Sequence, residues 1–383
     1  MVSGPLEEII IEKIKKRGGI TFEEFMDTAL YHPGLGYYAS PENMIGREGD
    51  FYTSPHLHPA FGAMTGRQLM EMWVIMGKPR KFEAVEMGAG AGYLCRDILD
   101  YLGRPPKEPS LARNKAEFSR SLRYIIVEPF LHFEKKQKEL LGDNDIAWVK
   151  SLNELNGITG CIFSNELLDA FPVHLVEKED DLKEVYVAFD GNSFTEEKYK
   201  VSREDINDYV VMFAPGLQPG YRTEVNLRIR GWLRDISMVL TEGFLLTIDY
   251  GYSSREYYSG ERTAGTLLCY HKHRVNENPY QNIGRQDITA HVNFSSLKKW
   301  GEESGLKTLG YCPQGIYLAA AGIDEVITEL YAGSPAYLRE VAKIKGLIMP
   351  QGMGDSHNVM VQYKGKGLPQ LRGFSISNHE KNL

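Results

Sequence analysis

Much is missing from this chain, and each absence excludes something. Its four cysteines (Cys95, Cys161, Cys269, Cys312) lie far apart with no CxxC pair, so no disulfide framework organises the fold. No apolar run reaches bilayer-spanning length, which argues against membrane insertion. Basic residues are not in excess: 44 Lys and Arg stand against 51 Asp and Glu, a net charge of −7 over 383 residues. That balance lacks the electrostatic footprint of a nucleic-acid binder. No GxSxG elbow, HExxH pair or P-loop occurs. The N-terminal stretch MVSGPLEEIIIEKIKKRGG has no hydrophobic leader region and carries acidic residues early, so it reads as an amphipathic helix rather than a targeting segment. There is no internal repeat and no low-complexity tract.

What is present centres on Phe82–Leu99, FEAVEMGAGAGYLCRDIL. An apolar run carries Glu86 at its carboxyl end, glycines follow at 88, 90 and 92, and Leu94, Ile98 and Leu99 then recur at helical spacing. The pattern predicts strand, tight turn and helix. Such a turn lets a ligand approach the backbone, and the helix start offers free N–H groups. Further strands are expected at 124–128, 146–149, 160–164, 244–249 and 357–363, alternating with helices at 61–76, 224–240 and 324–344. Helices are also expected at 6–17 and 21–30, with Thr21 and Glu24 at capping-box spacing. Residues 103–120 read as a polar surface insertion, 309–321 as a late hairpin, and the last twenty residues as a mobile tail. Alternating strands and helices imply an α/β fold, a parallel sheet with helices on both faces. Ligands of such sheets bind beyond the carboxyl ends of the strands, which gathers Glu86, Glu128, Asn165, Glu166 and Asp249 around one crevice.

The glycine spacing decides between cofactors. GxGxG, with an acidic residue two positions before it, departs from the dinucleotide fingerprint GxGxxG. It fits the ExGxGxG of enzymes that use S-adenosyl-L-methionine, whose amino-acid moiety and ribose need a different cradle from a pyrophosphate. Glu128, ending the next strand, suits two ribose hydroxyls, although nicotinamide enzymes use an acidic residue the same way. NELLDAFPV (165–173) follows the fourth strand; by itself it is equally a helix start capped by Asn165. Cys269, His271 and His273 alternate, so on a strand they share a face. A wall of the fold explains them better than a metal site does, and no metal is expected.

Several segments resemble the MidA-type methyltransferases, the group that includes the mitochondrial complex I assembly methyltransferase. They are HPGLGYY (32–38), GDFYTSP (49–55), VEMGAGAG (85–92), VEP (127–129), NELLDAFPV, TIDYG (247–251), GTLLCYHKH (265–273) and DITAHVNF (287–294), in order over most of the chain. The resemblance implies a class I, Rossmann-like fold with S-adenosylmethionine as donor and S-adenosylhomocysteine as product. It also implies a protein acceptor, an arginine of a respiratory NADH dehydrogenase subunit. By position, Glu86, Gly88, Gly90, Gly92 and Glu128 would hold the cofactor, and Asp50, Thr53 and Ser54 would close over it. Asn165 would stand where cofactor and acceptor meet. Glu166, Asp169 and Asp287 would act on the acceptor, Glu166 and Asp169 from one face if their segment is helical. The chain departs from the family at Ala89 and Ala91, where Pro and Arg are usual, at His56 for Glu and at Asn293 for Asp.

The expected organisation is an N-terminal helical and lid region (1–80), a core (81–174 and 241–364), an insertion shaping the substrate site (175–240) and the tail (365–383). The expected compartment is the bacterial cytoplasm, or the mitochondrial matrix for a processed chain, and the protein could form a homo-oligomer. Two other functions remain open: a non-catalytic assembly factor that binds a partner subunit, and a nicotinamide-dependent oxidoreductase.

Overall fold

The computed structural model describes residues 4–41, 54–105 and 109–383. The chain divides into two compact units. One comprises Met1–Phe51, Leu168–Trp232 and Tyr252–Leu297; the other, Tyr52–Leu167, Leu233–Gly251 and Lys298–Leu383. This corrects the expected boundaries: residues 1–80 are shared between the units, and 252–297 joins the insertion rather than the core.

The second unit carries the sheet announced by the glycine turn. Its strands are β1 (Phe82–Met87), β2 (Leu122–Val127), β3 (Ile146–Val149), β4 (Ile158–Asn165), β5 (Leu240–Tyr252), β6 (Lys307–Pro313) and β7 (His357–Lys364), in the order β3-β2-β1-β4-β5-β7-β6. Strands β1 to β5 are parallel. Strand β7 is antiparallel to both β5 and β6, which corrects the all-parallel expectation. A strand buried along its length reads the same in either direction, so pattern could not reveal the reversal. Phe82, Ala84, Cys161, Phe163, Phe244 and Leu246 from the strands pack with Leu94, Ile98 and Trp73 from helices in one core cluster. Each such side chain contributes about 1.5–3 kcal/mol by leaving water.

Other local expectations change here. Residues 314–321 form a helix, Gln314–Ala321, after the single strand β6. A short apolar run fits a buried strand or a buried helix equally. The polar insertion contains a helix, Pro109–Ser121. Its buried stripe escaped notice because one member is Lys115, whose Nζ lies 2.6 Å from Glu329 and over the Tyr101 ring. The helix expected at 324–344 is two, Ile323–Tyr331 and Tyr337–Lys343, interrupted at Gly333-Ser334-Pro335. The tail is anchored rather than free, with Leu371 and Phe374 buried in the core.

The first unit pairs helices Pro5–Arg17 and Phe22–Tyr31 with an antiparallel sheet of Ile20–Thr21, Leu182–Phe189, His174–Lys178 and Arg222–Val225, to which Phe194–Lys200 adds. Thr21 caps the second helix by accepting from the Glu24 amide at 3.2 Å. The Glu24 carboxylate goes instead to Arg17, at 2.8 and 3.0 Å. A three-stranded sheet joins Leu268–His271 to Arg274–Asn276 and Asp287–Thr289.

Candidate active site

In the sheet-bearing unit, register aligns the carboxyl ends of the central strands. Met87 of β1 pairs with Val127 of β2 and Ser164 of β4, and Asn165 pairs with Ile248 of β5. The residues just beyond, Gly88, Glu128 and Glu166, therefore issue from one edge. All three turn glycines have positive φ, +74° at Gly88, +52° at Gly90 and +88° at Gly92, and Gly92 opens the helix Tyr93–Gly103. A side chain at Gly88 would meet Leu167 at 3.0 Å, whereas at Gly90 no described residue lies within 4 Å. The turn is thus packed on one side and open at its middle, as a cradle for a ligand must be.

Glu86 is buried beneath the turn and accepts from the Tyr124 hydroxyl at 2.5 Å. Burial pushes its carboxyl up to about 7, against the lowering effect of that bond. Glu128 is fixed through both oxygens, to the Phe130 amide and to Gln137 Nε2, each at 2.9 Å. It too is raised by burial to about 7, with the two hydrogen bonds opposing. Sequence reasoning missed Gln137. Fully buried, it also donates to the Gly90 carbonyl at 2.8 Å and accepts from Trp148 Nε1 at 3.0 Å. One amide so ties the glycine turn to the acidic residue of the next strand. It sits in a Lys-rich helix, where nothing in the local pattern distinguishes it. Trp148 is engaged as that amide's partner.

Glu166 stands in the left-handed region at φ +52°. No helix follows Asn165, so the helical face proposed for Glu166 and Asp169 does not exist, and Asn165 is not a helix cap. The turn is instead held by Asp249, whose Oδ2 accepts from the Leu167 amide at 3.1 Å. Asp249 thereby braces the turn. The Glu166 Oε1 accepts from the Ser54 amide at 3.2 Å and from Asn165 Nδ2 at 3.1 Å. Among the described residues Asn165 Oδ1 and Ser164 Oγ are buried with no hydrogen-bond partner, which suits an edge that receives a polar ligand. Asp50 and Thr53 lie outside the described residues.

Asp169 and Asp287 belong to the other unit, where the structure brings them near each other around Tyr31 and Tyr38. The Tyr38 hydroxyl donates to Asp287 Oδ1 at 2.8 Å, and Tyr31 donates to the Ala170 carbonyl at 2.9 Å. The two rings stack with centroids 5.5 Å apart. Both hydroxyls are raised above their ordinary range, first by burial and then by Asp287, with Asp169 also contributing. Neither tyrosine was singled out from sequence, although Tyr38 ends the quoted HPGLGYY. Asn293 accepts from the Ser295 amide and donates to Tyr209, so this departure falls on a helix start. Cys269, His271 and His273 do not share a face: the strand ends at His271, and His273 turns at φ +58°.

A five-stranded parallel segment extended by an antiparallel strand, with an acidic residue buried under a glycine turn, defines a class I methyltransferase. Residues 64–312 match the family model described as "Putative S-adenosyl-L-methionine-dependent methyltransferase". The rat "Protein arginine methyltransferase NDUFAF7, mitochondrial" is 28% identical, covering 92% of this chain and 82% of its own length. The human protein of the same name is also 28% identical, at 92% and 82% coverage. A candidate methyl transferase from Burkholderia thailandensis, solved bound to S-adenosyl-homocysteine, superposes with a TM-score of 0.88 at 29% identity over the full length of both chains. The chain belongs to the MidA-type family of S-adenosylmethionine-dependent methyltransferases. S-adenosylmethionine is its cofactor, and the open Gly90 face and the unsatisfied Asn165 oxygen fit such a group. No described helix is long and apolar enough to cross a membrane.

Proposed function

We propose that this chain methylates an arginine of a protein, specifically of a respiratory NADH dehydrogenase subunit. The names of the relatives support the acceptor class. The observation that carries the reading is Glu166 at the carboxyl edge of the sheet, its Oε1 held by the Ser54 amide and Asn165 Nδ2. A guanidinium is protonated in water, with a pKa above about 12, and is a poor nucleophile until carboxylates orient it and take a proton.

The cofactor supplies a methyl group on a sulfonium whose leaving group needs no activation, so the protein's task is alignment and exclusion of water. In this reading Gly88, Gly90 and Gly92 admit the cofactor to the backbone. Glu128 accepts from its ribose, Glu86 supports the turn from below, and Ser54 and Asn165 fix Glu166. Asp50 and Thr53 remain candidates for closing over the cofactor, and the 175–240 insertion for shaping the acceptor site. Glu166 takes the acceptor's proton on Oε2, because Oε1 already receives the Ser54 and Asn165 donors. Asp169 and Asp287, the latter oriented by Tyr38, remain candidates for acting on the acceptor. The four buried thiols suit a reducing compartment, the cytoplasm of a bacterium. A homo-oligomer is compatible with this reading.

The test is transfer of tritium from labelled S-adenosylmethionine to the purified subunit. Glu166→Gln should lower turnover by at least about a hundredfold while leaving S-adenosylhomocysteine binding within about threefold. Wild-type protein that binds the cofactor but labels no arginine would refute the reading and favour the assembly factor.

A further inference from the structure

Glu166 is placed by Ser54, and Ser54 is itself held from behind. Ser54 is fully buried. Its amide donates to Glu166 Oε1 at 3.2 Å, while its hydroxyl lies 3.2 Å from each of two acceptors, Gln314 Oε1 and Met353 Sδ. Gln314 is fully buried as well and opens the helix Gln314–Ala321 directly after β6. Its Nε2 donates to the Leu347 carbonyl at 3.1 Å. The chemistry above makes no use of this amide.

A carbonyl can only accept, so the Leu347 contact fixes which end of the Gln314 amide is nitrogen. Its oxygen then faces Ser54, and an amide oxygen requires the hydroxyl to donate. A hydroxyl carries one proton, and a thioether sulfur is the weaker acceptor. The proton therefore goes to Gln314, and Met353 is a packing neighbour. Ser54 has no O–H left to offer a cofactor; its part in the site is the backbone N–H on Glu166. The seat of Gln314 is firm. The Gly315 amide donates to the Gly354 carbonyl at 2.9 Å, and the Met353 amide to the Gly346 carbonyl at 2.8 Å. A side chain at Gly315 would collide with the Ile348 carbonyl oxygen, so the two backbones lie against each other. Leu318 and Leu347 carry both segments into the main core.

We infer that Gln314 is a positioning residue for methyl transfer: it tethers the Ser54 hydroxyl so that the Ser54 amide pins Glu166 Oε1 and leaves Oε2 for the acceptor's proton. The inference rests on Glu166 being the base. A reacting group misplaced by about 1 Å can lose about a hundredfold in rate, and the Ser54 amide is one of the donors that fix this carboxylate. Cutting the tether loosens that amide without deleting it, so rate should fall while cofactor binding stays.

Turnover of the subunit and calorimetric binding of S-adenosylhomocysteine are measured in Ser54→Ala, Gln314→Leu and the double variant, with the calorimetric stoichiometry counting folded sites. Each single variant should lower kcat at least about tenfold, with KM for the subunit and affinity for S-adenosylhomocysteine within about threefold of wild type. The double variant should be within about twofold of the slower single one, because both substitutions remove the same tether. A role of Gln314 in folding alone would add its own loss to that of Ser54→Ala. Losses that multiply in the double variant overturn the inference, as does wild-type kcat in either single variant or weakened cofactor binding in place of rate. Should Gln314→Leu give no folded protein, Ser54→Ala beside Met353→Leu decides. Rate lost in the first and kept in the second supports the tether, whereas equal loss in both gives it to the sulfur and overturns the inference. Wild-type turnover in Glu166→Gln refutes the underlying base assignment instead.

Discussion

Acidity should act on this protein in two opposite directions. Glu86 and Glu128 are both raised by burial from 4.5 to about 7. In an unfolded chain they titrate near 4.5, so between those values the folded state binds more protons. Stability of the ligand-free protein is therefore greatest below the unfolded value and falls as pH rises through about 7, by on the order of 3 kcal/mol for each group once both are ionised. Between pH 6 and 8 that is on the order of 1 kcal/mol per group. Cofactor binding runs the other way. Ribose hydroxyls donating to Glu128 favour the carboxylate, so binding requires it to shed its proton. Affinity for S-adenosylhomocysteine should fall about tenfold from pH 8 to pH 6 for one group and about a hundredfold if both must ionise. Calorimetric titration at several pH values measures this directly. Glu128→Gln isolates one group: at pH 8 its ligand-free melting temperature should rise above wild type while its affinity drops and loses the tenfold pH dependence that Glu128 carries. A flat affinity from pH 6 to 8, together with a destabilised Glu128→Gln at pH 8, would refute the burial argument.

Three substitutions probe the scaffold. Gln137→Leu keeps the volume but strands the Gly90 carbonyl and one Glu128 oxygen; it should weaken S-adenosylhomocysteine binding by about 1–3 kcal/mol in calorimetry. Gly88→Ala puts a side chain at φ +74° against Leu167, and should cost about 1–2 kcal/mol in denaturant unfolding while reducing cofactor affinity. Glu224→Ala leaves the Thr266 and Leu267 amides and the Tyr257 hydroxyl without their buried acceptor. A loss of about 3 kcal/mol is expected, with cofactor affinity unchanged in the same preparation.

Local chemistry was legible in the chain wherever one residue type had a single physical use. Three alternate glycines after an apolar run need positive φ, and all three have it. An acidic residue at the end of a buried strand must be buried, and Glu86 and Glu128 are. Thr21 caps a helix because its hydroxyl has one nearby orphan amide. Ordered short segments from residue 32 to 294 then fixed the family, because many matches in register are far more specific than one turn.

Direction, pairing and partners over long range were decided only by the tertiary structure. Strand β7 runs antiparallel although its sequence looks like its parallel neighbours, since burial on both faces erases the signal of direction. Glu166 and Asp169 are three residues apart but share no helical face, because Asp249 holds the intervening turn from 82 positions away. Gln137, Tyr38 and Gln314 carry no motif of their own. Each became meaningful through a contact with a distant segment (Gly90, Asp287 and Ser54). Spacing along a chain reports the period of an element, whereas a site is made by the edge of a sheet, where residues distant in sequence share one set of hydrogen bonds.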